Sequence, residues 1–189
     1  MKNGMKMRVL ASFMDSGGHF TEDVYKQCAR RASRRLWAIK GEGGDKPLCR
    51  PMKRSGTDNS VRFLIGVDAG KESIMYASSV EEPGPRYMHF PLDEKCGYSE
   101  QYFKGLMSEQ MVFHRKGGVQ VIAWDKIYER NEPLDCRNYA RAAYKYFNWH
   151  FDDLENLIEN NGEVPEKIET KEQAQRKKRK TVISGGIKI

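Results

Sequence analysis

No run of apolar residues in this chain approaches the length that crosses a bilayer, where about 20 are needed. A transmembrane helix is therefore not expected. The first eight residues carry charge, but no apolar segment with a cleavage pattern follows them, so no secretory signal is expected either. Cysteine is sparse: Cys28, Cys49, Cys96 and Cys136 stand far apart, with no C-x-x-C pair. That spacing argues against a zinc site and, without a signal, against a disulfide framework. Reduced thiols in a soluble, intracellular protein are the expectation. The histidines His19, His89, His114 and His150 are not spaced as a metal set, although His19 stands close to Asp15. Internal repeats are absent. So is a P-loop: Gly66-Val67-Asp68-Ala69-Gly70-Lys71-Glu72 comes nearest. It has three residues between its glycines where four are required. Glu72 also follows the lysine, where Ser or Thr would reach magnesium. No ATP site is expected in this chain.

What is present is a basic chain of modest size. Its 189 residues suffice for one domain and a tail, and 39% are hydrophobic, enough to build a core. A net charge of +7 favours a polyanionic partner, although solubility alone accounts for a modest excess. Part of that charge is one run, Arg176-Lys177-Lys178-Arg179-Lys180, which leaves the body only mildly basic. From residue 163 onward the composition is charged and poor in aromatics. Residues 1–160 are expected to form the folded part, and residues 161–189 a flexible basic tail.

The pattern along the chain is α/β. Residues 8–14 form a continuous apolar run typical of a buried strand. Asp15-Ser16-Gly17-Gly18 turns the chain, Thr21 suits an N-cap, and residues 22–33 repeat at helical spacing. Residues 36–39 predict the next strand, residues 41–59 a polar surface loop, and residues 61–67 a further strand. Residues 74–80 suit either a strand or a short helix. Residues 99–109 read as a short helix, and 111–115 with 119–124 as an antiparallel pair around Lys116-Gly117-Gly118. The longest helix is predicted from Pro133 to residue 158, since proline suits a first turn. Trp37, Trp124 and Trp149 lie in apolar contexts that suit a core.

Two acidic motifs carry the chemistry. Asp15 stands just past a strand end, where α/β sheets place functional groups. Gly17 and Gly18 permit close backbone approach or a positive φ. Read locally, the same four residues also make an ordinary turn. Asp135 lies in the first turn of the long helix, where the helix dipole favours negative charge, with Glu132 three residues earlier. Asn131 could cap that helix. A strand-end and a helix-start carboxylate can meet in a fold and together hold a hard divalent cation, which prefers oxygen ligands. On a basic chain such a site points to phosphodiester chemistry. Lys71 could approach a phosphate near Asp68.

Several of these blocks, in order, resemble the large terminase subunit of lambda-type tailed phages. They are Asp15-Ser16-Gly17-Gly18-His19-Phe20-Thr21 with Val24-Tyr25, Ala38-Ile39-Lys40-Gly41, and Gly66-Val67-Asp68-Ala69-Gly70-Lys71. His89-Phe90-Pro91 with Tyr102-Phe103 follows, then Asn131-Glu132-Pro133-Leu134-Asp135-Cys136 with Tyr139-Ala140. Order and spacing agree over residues 8–151.

The resemblance implies an RNase H-like nuclease fold that cuts concatemeric double-stranded DNA during genome packaging. It implies a two-ion magnesium or manganese site, in which carboxylates hold ions that activate water and stabilise the leaving oxygen. Asp15 would be the strand-end ligand and Asp135 the helix ligand, with Glu132 a nearby alternative. Asp68 would be a further ligand, and Lys71 would neutralise a phosphate. Family members carry an ATP-driven motor and an earlier nuclease strand bearing a first acidic ligand. Neither is found in this chain, so the fold is expected to be incomplete at its N-terminal strands. The implied partners are DNA, a terminase small subunit, a chain carrying the motor, and the portal. The implied location is the host cytoplasm, the gene being carried by a phage or prophage. The competing expectation is a non-catalytic fragment or module that binds DNA, or a terminase or portal partner.

Overall fold

The computed structural model describes residues 9–52, 61–148 and 150, without the side chains of Glu94 and Lys116. Two compact units divide the chain, and the one spanning Leu10–Tyr146 carries the sheet and the site. Its architecture is mixed α/β. β1 (Ser12–Asp15) leads through α1 (Thr21–Arg30) to β2 (Leu36–Glu42). β3 (Cys49–Pro51) and β4 (Arg62–Gly66) follow, and β4 runs directly into α2 (Val67–Ser78). Next come α3 (Glu100–Leu106), the hairpin β5 (Glu109–Lys116) and β6 (Val119–Lys126), and finally α4 (Glu132–Phe147).

The main sheet has the order β1-β2-β4-β3. β1, β2 and β4 are parallel, with Asp15 opposite Ile39 and Ile39 opposite Phe63. The expected strand-helix-strand unit is therefore present, but β1 is a four-residue strand at the sheet edge, half-buried to exposed, rather than the buried run expected over residues 8–14; it ends at Asp15. Sequence and structure part where pairing partners lie far apart. The segment expected to be a loop over residues 41–59 contains β3, which pairs antiparallel to β4. A three-residue strand has no readable period, and its Pro51 is tolerated because β3 lies at the sheet edge. Arg50 also reaches Glu42 at 2.7 Å.

Asp68 to Lys71 lie in the first turns of α2, which continues directly from β4. Helix is also the answer for residues 74–78, where both states were open. Thr21 does not cap α1. Its hydroxyl donates to the carbonyls of Ser16 (2.7 Å) and Gly18 (2.9 Å), tying up the loop that follows β1. α3 does begin at a Ser99 cap, but it stops at Leu106, so Glu109 opens β5 rather than closing a helix. The hairpin turns at Gly117 (φ 59°) and Gly118 (φ 83°), the paired positive values a tight two-residue turn requires. α4 ends at Phe147, and Asn148 takes a left-handed φ of 45°. Residues 151–158 of the longer helix expected there, the Arg176–Lys180 run and the domain limit at residue 160 lie outside the described residues.

Aromatic and β-branched residues at alternate strand positions make the core. Ile39, Phe63 and Ile65 are buried with Ala142 of α4, and Phe13, Trp37, Tyr139 and Tyr146 pack around them. Alanine at position 142 lets α4 approach the sheet closely, so its neighbours Tyr139 and Tyr146 can reach it. A second cluster joins Ile74, Leu106 and Leu134. Each fully buried large side chain contributes about 1.5–3 kcal/mol. Together the clusters fix α4 against β1, β2 and α2.

Candidate active site

The sheet delivers Asp15 to a defined place. Beyond it, the Ser16 backbone N–H and hydroxyl both donate to the Ile39 carbonyl, at 2.9 and 2.7 Å. Ser16 is thereby buried while Asp15 stays exposed. The Asp15 Oδ1 accepts from the Gly17 N–H at 2.9 Å. Neither Gly17 nor Gly18 has a positive φ; a Cβ at Gly17 would lie 3.2 Å from Asp15 Oδ1, a close contact with that carboxylate.

α4 brings the second carboxylate. Tyr139 donates its hydroxyl to Asp15 Oδ2 at 3.4 Å, linking the strand end to a residue one turn past Asp135. Burial, then the charges of Asp15 and Asp135, push the Tyr139 phenol well above its ordinary range, so it remains a donor. Asp135 is half-buried. Desolvation is the main cause of its raised pKa; the carboxylates of Glu109 and Asp15 add to it, and Lys71 opposes it.

A third group of contacts backs Asp135. Asn131 Nδ2 donates to Asp135 Oδ2 and to Glu109 Oε1, each at 3.0 Å. Glu109 Oε2 accepts from Lys71 Nζ at 2.5 Å, and the two side chains are only 5% and 11% exposed. Removing one member of such a buried pair costs about 3–5 kcal/mol, because the other charge is left uncompensated. Lys71 also lies 5.8 Å from the centre of the Trp124 ring. Ser108 fixes the start of β5, its carbonyl accepting from the N–H groups of Ile127 (2.7 Å) and Tyr128 (3.1 Å).

Residues 1–156 match the family model described as the terminase large subunit gpA, endonuclease domain. The chain belongs to that family. It is 31% identical over 150 residues to the terminase large subunit of Escherichia phage lambda, a match covering 76% of this chain and 23% of that protein. It is 28% identical over 194 residues to the terminase large subunit of Enterobacteria phage P21, covering 98% of this chain and 29% of that protein. The chain therefore spans under a third of the length of these relatives. No solved structure matches it.

Within this family member, the residues singled out from sequence separate into two sets. Lys71 and Asp135 belong to one chain of contacts through Glu109 and Asn131, and Asp15 is bonded to α4 at Tyr139. The described contacts of Glu132 and Asp68 are with other groups. Glu132 is exposed and 3.3 Å from Arg130 Nε. Its pKa is lowered chiefly by its own backbone N–H, with Arg130 helping. Asp68 Oδ2 accepts from the Gly44 N–H at 2.5 Å, which pins the loop after β2. Lys71 is engaged by Glu109 inside α2 and is not exposed at a phosphate-binding loop. Sequence reasoning did not single out Glu109 or Tyr139, and it read Asn131 as a cap alone. Glu109 looked like the end of a helix, and its partners lie 38 and 22 residues away.

Among the described residues no three His, Cys, Asp or Glu side chains are grouped as a metal cage. The donor set nonetheless suits a hard cation that takes one or two carboxylates and completes its shell with water and phosphate oxygens, as magnesium does. Asp15 and Asp135 are the carboxylates that would serve such an ion. Glu109 is set apart from them by its burial and its ion pair with Lys71. No helix among the described residues is long and apolar enough to cross a membrane.

Proposed function

We propose that this chain is the nuclease portion of a phage terminase large subunit and hydrolyses double-stranded DNA with magnesium or manganese. The observation that carries the reading is the bond from Tyr139, one turn past Asp135 on α4, to Asp15 at the end of β1. Asp15 and Asp135 would hold the metal, which supplies an activated water and charge stabilisation at the phosphate. Asp15 is exposed and can meet substrate. Asp135 is held by Asn131, and Lys71 adds positive charge behind it. Glu132 and Asp68 are not placed beside them by any described contact, so their part in metal binding is the weaker element of the reading.

The parallel β1-β2-β4 arrangement, with carboxylates from a strand end and a facing helix, supports the RNase H-like assignment. The partners that fit are double-stranded DNA, a terminase small subunit, the motor-bearing chain and the portal, in the cytoplasm of a host cell. A second reading, a non-catalytic module that binds DNA or a packaging partner, draws support from the want of a three-carboxylate group among the described residues. Calorimetric titration with manganese separates the two. The nuclease reading expects saturable binding that Asp15→Asn and Asp135→Asn each weaken at least tenfold. Equal heats from all three proteins would contradict it.

A further inference from the structure

We infer that Glu109 is a positioning residue for the candidate nuclease site: it holds Asn131, and through Asn131 it sets the side chain of Asp135. This inference rests on the nuclease reading for its catalytic consequence, but not for its geometry.

Glu109 is 5% exposed, at the first position of β5. A carboxylate so placed needs donors on both oxygens. Lys71 serves Oε2 and Asn131 serves Oε1. Asn131 has two N–H groups on one nitrogen, and the second donates to Asp135. Four side chains from α2, β5, the approach to α4 and α4 itself thereby form one chain of hydrogen bonds, ending on a candidate metal ligand. The arrangement is directional. Lys71 and Asn131 are donors here, so only an acceptor with two free oxygens can sit between them. A glutamine at 109 offers one acceptor oxygen and one amide donor, and so must lose one of the two contacts. The group that touches Asp135 is the neutral, half-buried Asn131 amide. Without Glu109, the described contact left to the Asn131 amide is the one to Asp135 itself.

The test uses the full chain with aspartate carboxyl carbons labelled with carbon-13, metal-free and at fixed pH, comparing wild type, Glu109→Gln and Asn131→Ala. Plasmid cleavage in manganese is measured beside it. Glu109→Gln strands the Lys71 ammonium and could lower the folded fraction. Asn131→Ala cuts the same chain on the Asp135 side and leaves the Lys71–Glu109 pair intact. The expected result is that both variants move the Asp135 carboxyl resonance and lower kcat about tenfold with KM for DNA unchanged. The double variant should be no worse than either single one, as for members of one network. An Asp135 resonance that neither folded variant moves would overturn the inference, whatever the cleavage rates. If Glu109→Gln does not fold, Asn131→Ala decides alone: a wild-type resonance and kcat overturn the inference. If wild type does not cut, the nuclease reading falls and the resonance alone decides whether the network positions Asp135.

Discussion

The Tyr139 hydroxyl donates to Asp15 Oδ2 at 3.4 Å, joining residues 124 positions apart. It is the one direct side-chain bond described between the end of β1 and α4, and it spans the proposed metal site. Tyr139→Phe keeps the ring among Ile39, Phe63 and Ala142 and removes only the donor. Because the bond is long and Asp15 is exposed, the expected loss of stability is under about 1 kcal/mol. DNA cleavage is expected to fall several-fold, since Asp15 loses its lateral restraint. Denaturant unfolding and a cleavage time course check the two parts separately.

Asp135 provides a pH test. Burial raises its folded-state pKa above the ordinary carboxylate value of 3.8. Between those two values the folded state binds more protons than the unfolded one, so stability contributed by this group falls as pH rises. Asp135→Asn removes that cost and keeps an acceptor for Asn131. In chelator, the variant is expected to melt higher than wild type at pH 7, with the gain shrinking as pH falls toward the ordinary value. Melting curves across that range check the sign. A gain that grows in acid would contradict the raised pKa.

Gly70 lies in α2 directly against Asn138 of α4, and a Cβ there would overlap the Asn138 carboxamide. Asn138 is fully buried and donates to the Val67 carbonyl at 3.0 Å. Gly70→Ala should therefore destabilise by about 1–3 kcal/mol despite the better helix propensity of alanine. Asn138→Ala in the same chain should recover part of the loss. Urea unfolding of the two single variants and the double one measures it.

The sheet core and the hairpin should respond oppositely. Phe63 is 2% exposed and packs on Phe13, Trp37 and Tyr146 at ring-centroid distances of 4.6–6.1 Å. Phe63→Ala is expected to cost about 3–5 kcal/mol. Phe113, on β5, is 61% exposed, and Phe113→Ser should change stability by less than about 0.5 kcal/mol. Chemical denaturation of both variants checks the contrast.

The parts of this molecule that could be read from sequence are those specified locally. The apolar run ending at Asp15, the proline in the first turn of α4 and the paired glycines of the hairpin each announce themselves within a few residues. β3 could not be read, because three residues carry no period and its identity lies in pairing with Phe63, Leu64 and Ile65. The start of α2 was hidden because Gly66-Val67-Asp68-Ala69-Gly70-Lys71 has the composition of a turn. Gly70 is there for contact with Asn138 rather than for a bend. The site divides in the same way. Asp15 and Asp135 have local signatures, while Glu109 gains its meaning only when α2 and the approach to α4 arrive beside it. Resemblance to the terminase family raised the standing of Asp15 and Asp135, but it could not distinguish Glu132, which faces solvent, from Asp135, which does not.

The most direct test of the central claim is nicking of supercoiled plasmid by the purified chain in manganese or magnesium, beside Asp15→Ala and Asp135→Ala. A metal site is worth several kcal/mol at the transition state, so each substitution should slow cleavage roughly a hundredfold or more, and chelator should abolish it. Folded wild type that leaves the plasmid intact, or variants that cut at the wild-type rate, would contradict a metal-dependent nuclease built on these two carboxylates.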